Sequence, residues 1–155
     1  PSARLVLMKS FGDDGIVFFT NYESRKSQQL EANPQAALTF YWPRLQRQVR
    51  IEGRVARTSE SESEAYFRTR PRGSQLGAWA STQSAALADR DELVARMEAR
   101  RAEFKGRDVP LPPFWGGFRL QCDRIEFWQG RLNRLHDRLD YVREGQDWTC
   151  RRLSP

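Results

Sequence analysis

Short apolar runs separated by turn residues dominate the first third of the chain, a pattern typical of an antiparallel sheet. Strands are predicted at residues 4–9, 16–20, 36–42 and 48–55. The last run alternates apolar and polar residues, so one face of that strand is apolar and the other is polar. An Asp-Asp-Gly signal at residues 13–15 predicts a tight turn between the first two strands.

Three helices are predicted around these strands. A short one covers residues 24–33, and an S-x-x-E capping box at residues 59–62 opens a second. The second helix ends or bends at Arg70, because Pro71 disfavours helical geometry in the residue before it. The third runs from about residue 89 to residue 105, with an apolar stripe along one face.

The last third of the chain returns to strand patterns. Runs at residues 117–122, 125–129, 139–143 and 148–152 predict four more strands, with turns at residues 123–124 and 144–145. Six or seven strands with a few interposed helices favour a small barrel with helical decoration, in a single domain spanning residues 1–155. A strand so close to a first residue that is not Met leads us to expect a further N-terminal segment.

The net charge of the chain narrows the classes of binding partner. The chain has 26 Lys and Arg against 20 Asp and Glu, a formal net charge of +6. This excess favours an anionic partner: nucleic acid, an acidic membrane or a phosphorylated small molecule. The cations are spread over separate motifs and do not form one stripe, which disfavours nucleic acid. No apolar run approaches the length of a membrane span, so no membrane partner is expected.

The small number of cysteines and histidines limits the disulfides and metal sites that the chain can form. The two cysteines form no CxxC pair and are interpreted as reduced thiols of a cytoplasmic protein. With a single histidine, His136, most histidine-rich metal sites are excluded, and no metal is expected.

Two cationic residues lie in the first turn of a predicted helix, a position that disfavours positive charge. Arg25 and Lys26 fall in the first turn of the helix predicted at residues 24–33. The helix dipole already places partial positive charge at that end. An anion docked on the free backbone N–H groups, such as a phosphate, accounts for the arrangement. Two solvated surface cations are an equally good interpretation of the local sequence.

A second candidate group follows a four-residue spacing. Tyr66 and Arg70 share one face of the predicted second helix, and Ser74 lies beyond the proline break. A ring, a guanidinium and a hydroxyl at one point suit a phosphorylated aromatic ligand. From local sequence alone, a core tyrosine beside an exposed arginine is the more common arrangement. Gln83 and Ser84 lie in a polar stretch that binds phosphate or is simply a loop.

The third group is Arg134, His136 and Arg138, which alternate at every second residue. In an extended segment they share one face and repel one another unless an anion or an electron-rich ring lies over them. A solvated charge run is the alternative. Trp128, at the end of a predicted strand, abuts a planar ligand or packs in the core.

At these residues the sequence resembles the pyridoxamine 5′-phosphate oxidase family of FMN-binding split-barrel proteins. The likeness extends over the whole chain. The stretches that carry it are residues 4–9, 22–26, 47–49, 66–71, 74–79, 115–118, 126–130 and 134–138. The fold class it implies is mainly β with α: a split barrel of six to eight antiparallel strands with helices packed around it. Family members have a further leading segment, and we expect such a segment to be missing before Pro1.

The resemblance implies a homodimer with FMN at the subunit interface. The positions matching FMN contacts are Arg4, Lys9, Phe19, Thr20, Arg25, Lys26, Gln48, Gln83, Ser84, Trp128 and Arg138. Those matching substrate contacts are Lys9, Tyr66, Arg70, Ser74, Arg134 and His136. Of these, Arg134 and His136 are the catalytic candidates, expected to cover the pyridine ring from the other subunit.

The implied reaction oxidises pyridoxamine or pyridoxine 5′-phosphate to pyridoxal 5′-phosphate, with O2 reduced to H2O2. The flavin carries the difficult chemistry, and the protein contributes positioning and charge. Two alternatives stay open: a split-barrel flavin oxidase with another substrate, such as a phenazine precursor, or a non-catalytic protein that binds FMN or a B6 phosphate.

Overall fold

A seven-stranded antiparallel sheet forms the body of the computed structural model, which describes residues 2–155. Its strands are β1 (Ser10–Gly12), β2 (Gly15–Asn21), β3 (Gln35–Trp42), β4 (Arg47–Arg57), β5 (Trp115–Gln129), β6 (Asp137–Glu144) and β7 (Asp147–Arg152). The helices are α1 (Arg25–Ala32), α2 (Glu60–Thr69), α3 (Arg72–Ala80) and α4 (Arg90–Glu103). The sheet curls into a half-barrel, which confirms the predicted split-barrel class.

The long strand β5 organises the sheet. Strand β4 pairs along one edge of β5, from Phe118 to Gln129. The other edge is shared: β2 pairs with the first part of β5 and β6 with the last part. The start of β5 therefore lies beside β2, and its end lies beside β6, which β7 extends.

Strand β5 corrects one sequence prediction. Residues 123–124 were expected to form a turn between two strands, but they lie inside one continuous strand. A register shift at Glu52/Gly53 of β4 marks a bulge opposite them. A Cβ at Gly53 would lie 1.8 Å from the carbonyl oxygen of Gln121, so the close approach of the two backbones requires glycine. Polar residues typical of turns therefore mark a bulge here.

The predicted strand at residues 4–9 was wrong. The sheet begins only at Ser10, after the Lys9 N–H donates to the Val17 carbonyl at 2.9 Å. Before Lys9 the chain leaves β2 without a strand partner, and Leu5, Val6 and Leu7 line a cavity instead. An apolar run alone does not specify what its backbone will pair with.

Capping residues fix the helices where the sequence predicted them. The Ser24 hydroxyl accepts from the Ser27 N–H at the start of α1, and Ser59 caps α2 in the same way. Helix α3 was missed. Pro71 does end α2, but it also caps α3, because a proline near a helix start has no N–H to leave unsatisfied.

Two apolar clusters hold the fold together. One lies on the sheet and is built from Ile16, Phe18, Ile51, Val55, Phe118 and Leu120. The other fastens the helices to the start of β5 and is built from Phe67, Leu76, Phe104, Val109 and Trp115. The second cluster fixes α2 and α3 beside β2, and this arrangement creates the cavity described below.

Candidate active site

A cavity of about 630 Å³ opens between β2, α2, α3 and the N-terminal segment. It is lined both by residues predicted to contact FMN and by residues predicted to contact the substrate. Eight predicted site residues line it: Lys9, Phe19, Thr20, Lys26, Tyr66, Arg70, Ser74 and Gln83. This volume lies within the range of small-molecule sites. Three other predicted FMN residues, Arg4, Arg25 and Ser84, are not among the lining residues.

One corner of the cavity is a relay of polar groups at the start of α1. The Lys26 ammonium donates to the Thr20 hydroxyl and, at 3.3 Å, to that of Ser24. Thr20 in turn donates to the Gln83 amide oxygen at 2.9 Å. Burial and then the positive charge of Arg4 lower the pKa of Lys26 from 10.5 to about 8. An anion in this corner would restore the ordinary protonation of the lysine.

The outer residues of this corner have other surroundings. Arg25 is exposed in the first turn of α1, as predicted. Arg4 donates to the Gln29 side chain at 2.8 Å. Ser84 has a φ of 73°, a left-handed conformation that is uncommon outside glycine and marks a constrained loop.

The opposite corner is formed by the ends of α2 and α3. Tyr66 and Arg70 face the cavity from α2 and its C-cap, and Ser74 faces it from the first turn of α3. The structure places all three residues around one cavity, and their contact with a ligand stays a prediction. Burial lowers the pKa of Arg70 below its ordinary value, and its Nη1 is buried without a hydrogen-bond partner among residues 2–155. A buried donor without a partner is costly, so this corner suits an anion.

Three rings lie behind this corner. Tyr66 stacks on Phe19 with ring centroids 4.0 Å apart, and Phe19 stacks on Trp115 at 5.5 Å. The Arg70 guanidinium carbon lies 4.6 Å from the Trp115 ring centroid. In the sequence, Trp115 was noted only as part of the stretch at residues 115–118 that carries the family resemblance. Its role as a support for Arg70 was missed, since no local pattern pairs residues 45 positions apart.

The other three residues predicted to contact FMN lie in a row across three strands. Gln48 of β4 is opposite Trp128 of β5, which is opposite Arg138 of β6. Arg138 donates from Nε and Nη2 to the two carboxylate oxygens of Glu126, at 2.8 and 3.1 Å. These bonds lower the pKa of Glu126. Glu126 was missed, although its position two residues before Trp128 places both on one face of β5.

The extended conformation considered for residues 134–138 holds only for Asp137 and Arg138, at the start of β6. Arg134 lies in a short 3-10 helix and has a φ of 61°, next to Asn133 with a φ of 57°. The chain must reverse here to pass from β5 to β6, so a strand-like alternation does not hold. His136 packs on Trp128 with ring centroids 4.6 Å apart, and its Nδ1 accepts from the Arg131 N–H at 3.1 Å.

The two groups of site residues lie at opposite ends of β5. Trp115, at the cavity, and Trp128, beside Gln48 and Arg138, are thirteen residues apart on this strand. At about 3.3 Å per residue, that separation is roughly 40 Å along the strand. One chain therefore does not bring the Arg70 corner and the Trp128 row together.

The far end of β5 carries exposed apolar side chains. Leu132 is 87% exposed, Leu135 68% and Phe127 47%, and Tyr41 and Trp42 of the edge strand β3 are exposed nearby in the register. Large exposed apolar patches mark protein–protein contacts. An open cleft next to Leu132, lined by Gln46 and residues 130–134, borders this surface.

Other classes of site find no support in the part of the chain that the structure describes. Its helices lack the combined length and apolar character of a membrane span. Nor do residues 2–155 contain a cluster of His, Cys, Asp and Glu side chains suited to a metal ion.

Solved structures share this architecture. PhzG from Burkholderia lata 383, in complex with tetrahydrophenazine-1-carboxylic acid, superposes with a TM-score of 0.92 at 34% identity, over 99% of this chain and 75% of that one. A pyridoxamine 5′-phosphate oxidase-related, FMN-binding protein from Nostoc punctiforme PCC 73102 superposes with a TM-score of 0.74 at 18% identity, over 98% and 79%. The fold is thus that of the FMN-binding split-barrel proteins.

Sequence comparison narrows the class. A pyridoxamine 5′-phosphate oxidase model matches residues 1–104, and a model of the pyridoxine 5′-phosphate oxidase C-terminal dimerisation region matches residues 115–155. Pyridoxine/pyridoxamine 5′-phosphate oxidases from Rubrobacter xylanophilus and Acaryochloris marina are 62% and 56% identical, over the whole of this chain and 71% of each relative. The chain belongs to the pyridoxamine 5′-phosphate oxidase family, a family of oxidoreductases.

Proposed function

We propose that this chain oxidises pyridoxamine 5′-phosphate or pyridoxine 5′-phosphate to pyridoxal 5′-phosphate, with FMN as cofactor and O2 reduced to H2O2. The observation that supports this most is a single cavity with two separate cationic corners, one at Lys26 and one at Arg70. A reaction between a phosphorylated cofactor and a phosphorylated substrate requires two such corners. The names of the relatives agree with this chemistry.

The Lys26 corner fits the FMN phosphate. The start of α1 offers free backbone N–H groups, and Lys26 adds an ammonium whose position is fixed by hydrogen bonds to Thr20 and Ser24. Arg25 and Ser84 complete this phosphate site in the proposal, with Arg4, Lys9, Phe19 and Gln83 along the cofactor. When bound, FMN supplies the hydride acceptor at its N5 and returns the electrons to oxygen.

The Arg70 corner fits the substrate phosphate. Arg70 offers a fork of unpaired donors, Ser74 a hydroxyl, and Tyr66 a ring and a phenol. Lys9 lies 5.6 Å from the Tyr66 ring centroid, between the two corners, and serves both phosphorylated ligands in the proposal. Holding the substrate by its phosphate fixes the C4′ carbon relative to the flavin, and such positioning supplies much of the rate.

The second half of the site comes from a partner subunit in this proposal. Gln48, Trp128 and Arg138 flank the flavin, and Arg134 and His136 cover the pyridine ring. Because His136 accepts at Nδ1 from the Arg131 N–H, its Nε2 is left as a donor toward the ring. The exposed apolar side chains around this row and the match to a dimerisation region support a homodimer.

Peroxide release tests the proposed function. The protein, reconstituted with FMN, is supplied with pyridoxamine 5′-phosphate and separately with unphosphorylated pyridoxamine. We expect peroxide and pyridoxal 5′-phosphate in equal amounts from the first substrate, and far slower turnover of the second. A protein that cannot be reconstituted to a yellow form, or that releases no peroxide, contradicts the proposal.

A second candidate is a flavin oxidase acting on a phenazine precursor, which the likeness to PhzG favours. The PhzG ligand named in that complex carries a carboxylate and no phosphate. If this alternative holds, tetrahydrophenazine-1-carboxylic acid is oxidised faster than pyridoxamine 5′-phosphate, and Arg70→Ala reduces both activities equally. A non-catalytic binding protein would retain FMN and consume neither compound.

A further inference from the structure

Arg70 differs in what holds it from most of the partly buried arginines, which pair with carboxylates, and from Arg143, which donates to the Cys122 carbonyl. Arg119 forms ion pairs with Asp14 and Glu62, and Arg138 pairs with Glu126. No carboxylate pairs with Arg70 among residues 2–155, and no hydrogen bond involves its side chain there. Its charge is therefore not neutralised by the protein.

Aromatic rings support Arg70 where a carboxylate would be expected. Its guanidinium carbon lies 4.6 Å from the Trp115 ring centroid and 5.5 Å from that of Phe67. A ring attracts a cation through its electron-rich face and occupies none of the N–H donors in the guanidinium plane. These ring contacts leave the buried Nη1 of Arg70 without a hydrogen-bond partner among residues 2–155, and the residue lines the cavity.

Trp115 is held firmly enough to act as this support. It is 7% exposed and belongs to the apolar cluster beneath the helices. Its backbone N–H donates to the Pro112 carbonyl at 3.0 Å, and Phe67 packs edge-on against its ring. Its ring also stacks on Phe19, which in turn stacks on Tyr66. The indole of Trp115 therefore supports Arg70 directly and Tyr66 through Phe19.

We propose that Trp115 is a positioning residue that makes the site selective for phosphorylated substrates, by holding Arg70 through its ring and leaving the arginine unneutralised. The inference rests on the proposed function, since it assigns the substrate phosphate to Arg70. A carboxylate in place of the indole would hold the guanidinium equally well, but it would compete with the phosphate for the same donors. The indole therefore contributes to selectivity as well as to packing.

Ligand binding to the FMN-loaded protein tests this without turnover. The probes are 4-deoxypyridoxine 5′-phosphate and 4-deoxypyridoxine, which lack the oxidisable group at C4′, titrated by calorimetry. For Trp115→Leu we expect affinity for the phosphorylated probe to fall about 3- to 30-fold, the range of a desolvated cation–π contact. Affinity for the unphosphorylated probe should stay within about twofold. Trp115→Phe, which keeps a smaller ring, should give an intermediate loss.

Phe104→Leu is the matched control. Phe104 belongs to the same apolar cluster as Trp115 but contacts Trp79, and it is not among the rings over which Arg70 lies. It should lower the melting temperature without changing the preference for the phosphorylated probe. Equal weakening of both probes by Trp115→Leu and by Trp115→Phe would overturn the inference, as would a wild-type protein without any preference. Absence of peroxide from the wild type counts against the proposed oxidation, whereas the binding comparison tests Trp115 separately.

Discussion

Replacing Lys26 by methionine tests the cofactor corner through its charge. In the ligand-free protein the pKa of Lys26 is about 8, against 10.5 for an ordinary lysine. Below pH 8 the folded protein carries a charge that its surroundings disfavour. Between pH 8 and 10.5 the unfolded chain holds a proton that the folded protein has released. The stability of the wild type should therefore rise with pH through this window, and the variant should lack the rise.

The size of the effect follows from the pKa. The difference between 10.5 and about 8 corresponds to at most about 3–4 kcal/mol. Lys26 is partly exposed, so solvent screening reduces this to about 1–2 kcal/mol. For a chain of this length, 1 kcal/mol moves the melting temperature by about 2–4 °C. Between pH 7 and pH 10, the wild type should gain about 2–8 °C relative to Lys26→Met.

Thermal melts of flavin-free protein at four pH values between 7 and 10 measure this difference. Lys105→Met serves as a control, because Lys105 is exposed at the end of α4 and its removal should give the same offset at every pH. A bound phosphate raises the pKa of Lys26 again, so FMN affinity in the wild type should fall above pH 8, by at most about tenfold per pH unit. A constant difference between wild type and Lys26→Met from pH 7 to pH 10 would refute the reasoning.

Three further substitutions test other parts of the account. Asp140→Asn should lower the free energy of unfolding, measured by chemical denaturation, by about 2–3 kcal/mol. This fully buried carboxylate accepts hydrogen bonds from Arg124 and Arg151, and the loss is limited because both arginines regain water in the variant. Those hydrogen bonds lower the pKa of Asp140, so its contribution to wild-type stability is lost as pH falls, and an unchanged unfolding midpoint would contradict its role. Gly53→Ala should prevent soluble expression, whereas an alanine at Gly73, where a Cβ meets nothing within 4 Å, should be tolerated; two equally soluble variants would argue against the bulge. Arg134→Ala should reduce turnover of pyridoxine 5′-phosphate far more than FMN retention, and an equal loss of both would make the residue structural.

Local chemistry decided which elements the sequence could predict. The Ser59 cap was predictable because the hydroxyl and the N–H of Glu62 that it accepts from are three residues apart. Helix α3 was missed because Pro71 both ends one helix and begins the next, and only the first role has a simple sequence signal. The strand at residues 4–9 and the turn at residues 123–124 were wrong for a common reason. Strand pairing depends on a partner elsewhere in the chain, which a local pattern does not contain.

The contrast between local patterns and contacts with distant parts of the chain also applies to the candidate site. Tyr66 and Arg70 converge as predicted, because a four-residue spacing on a helix is a local property. The alternation at residues 134–138 assumed a strand, but the return from β5 to β6 requires a reversal at Asn133 and Arg134. The support of Arg70 by Trp115 depends on the packing of α2 against β5, which no spacing encodes.

Complementation between two inactive variants tests most directly that one site is built from two chains. Arg70→Ala removes the proposed contact with the substrate phosphate, and Arg134→Ala removes the residue expected to cover the ring from the partner subunit. In a mixed dimer one site carries both changes and the other carries neither. Random assembly should therefore restore about a quarter of wild-type peroxide release. Activity in the mixture no higher than in either variant alone would show that the two residues do not meet across a subunit interface.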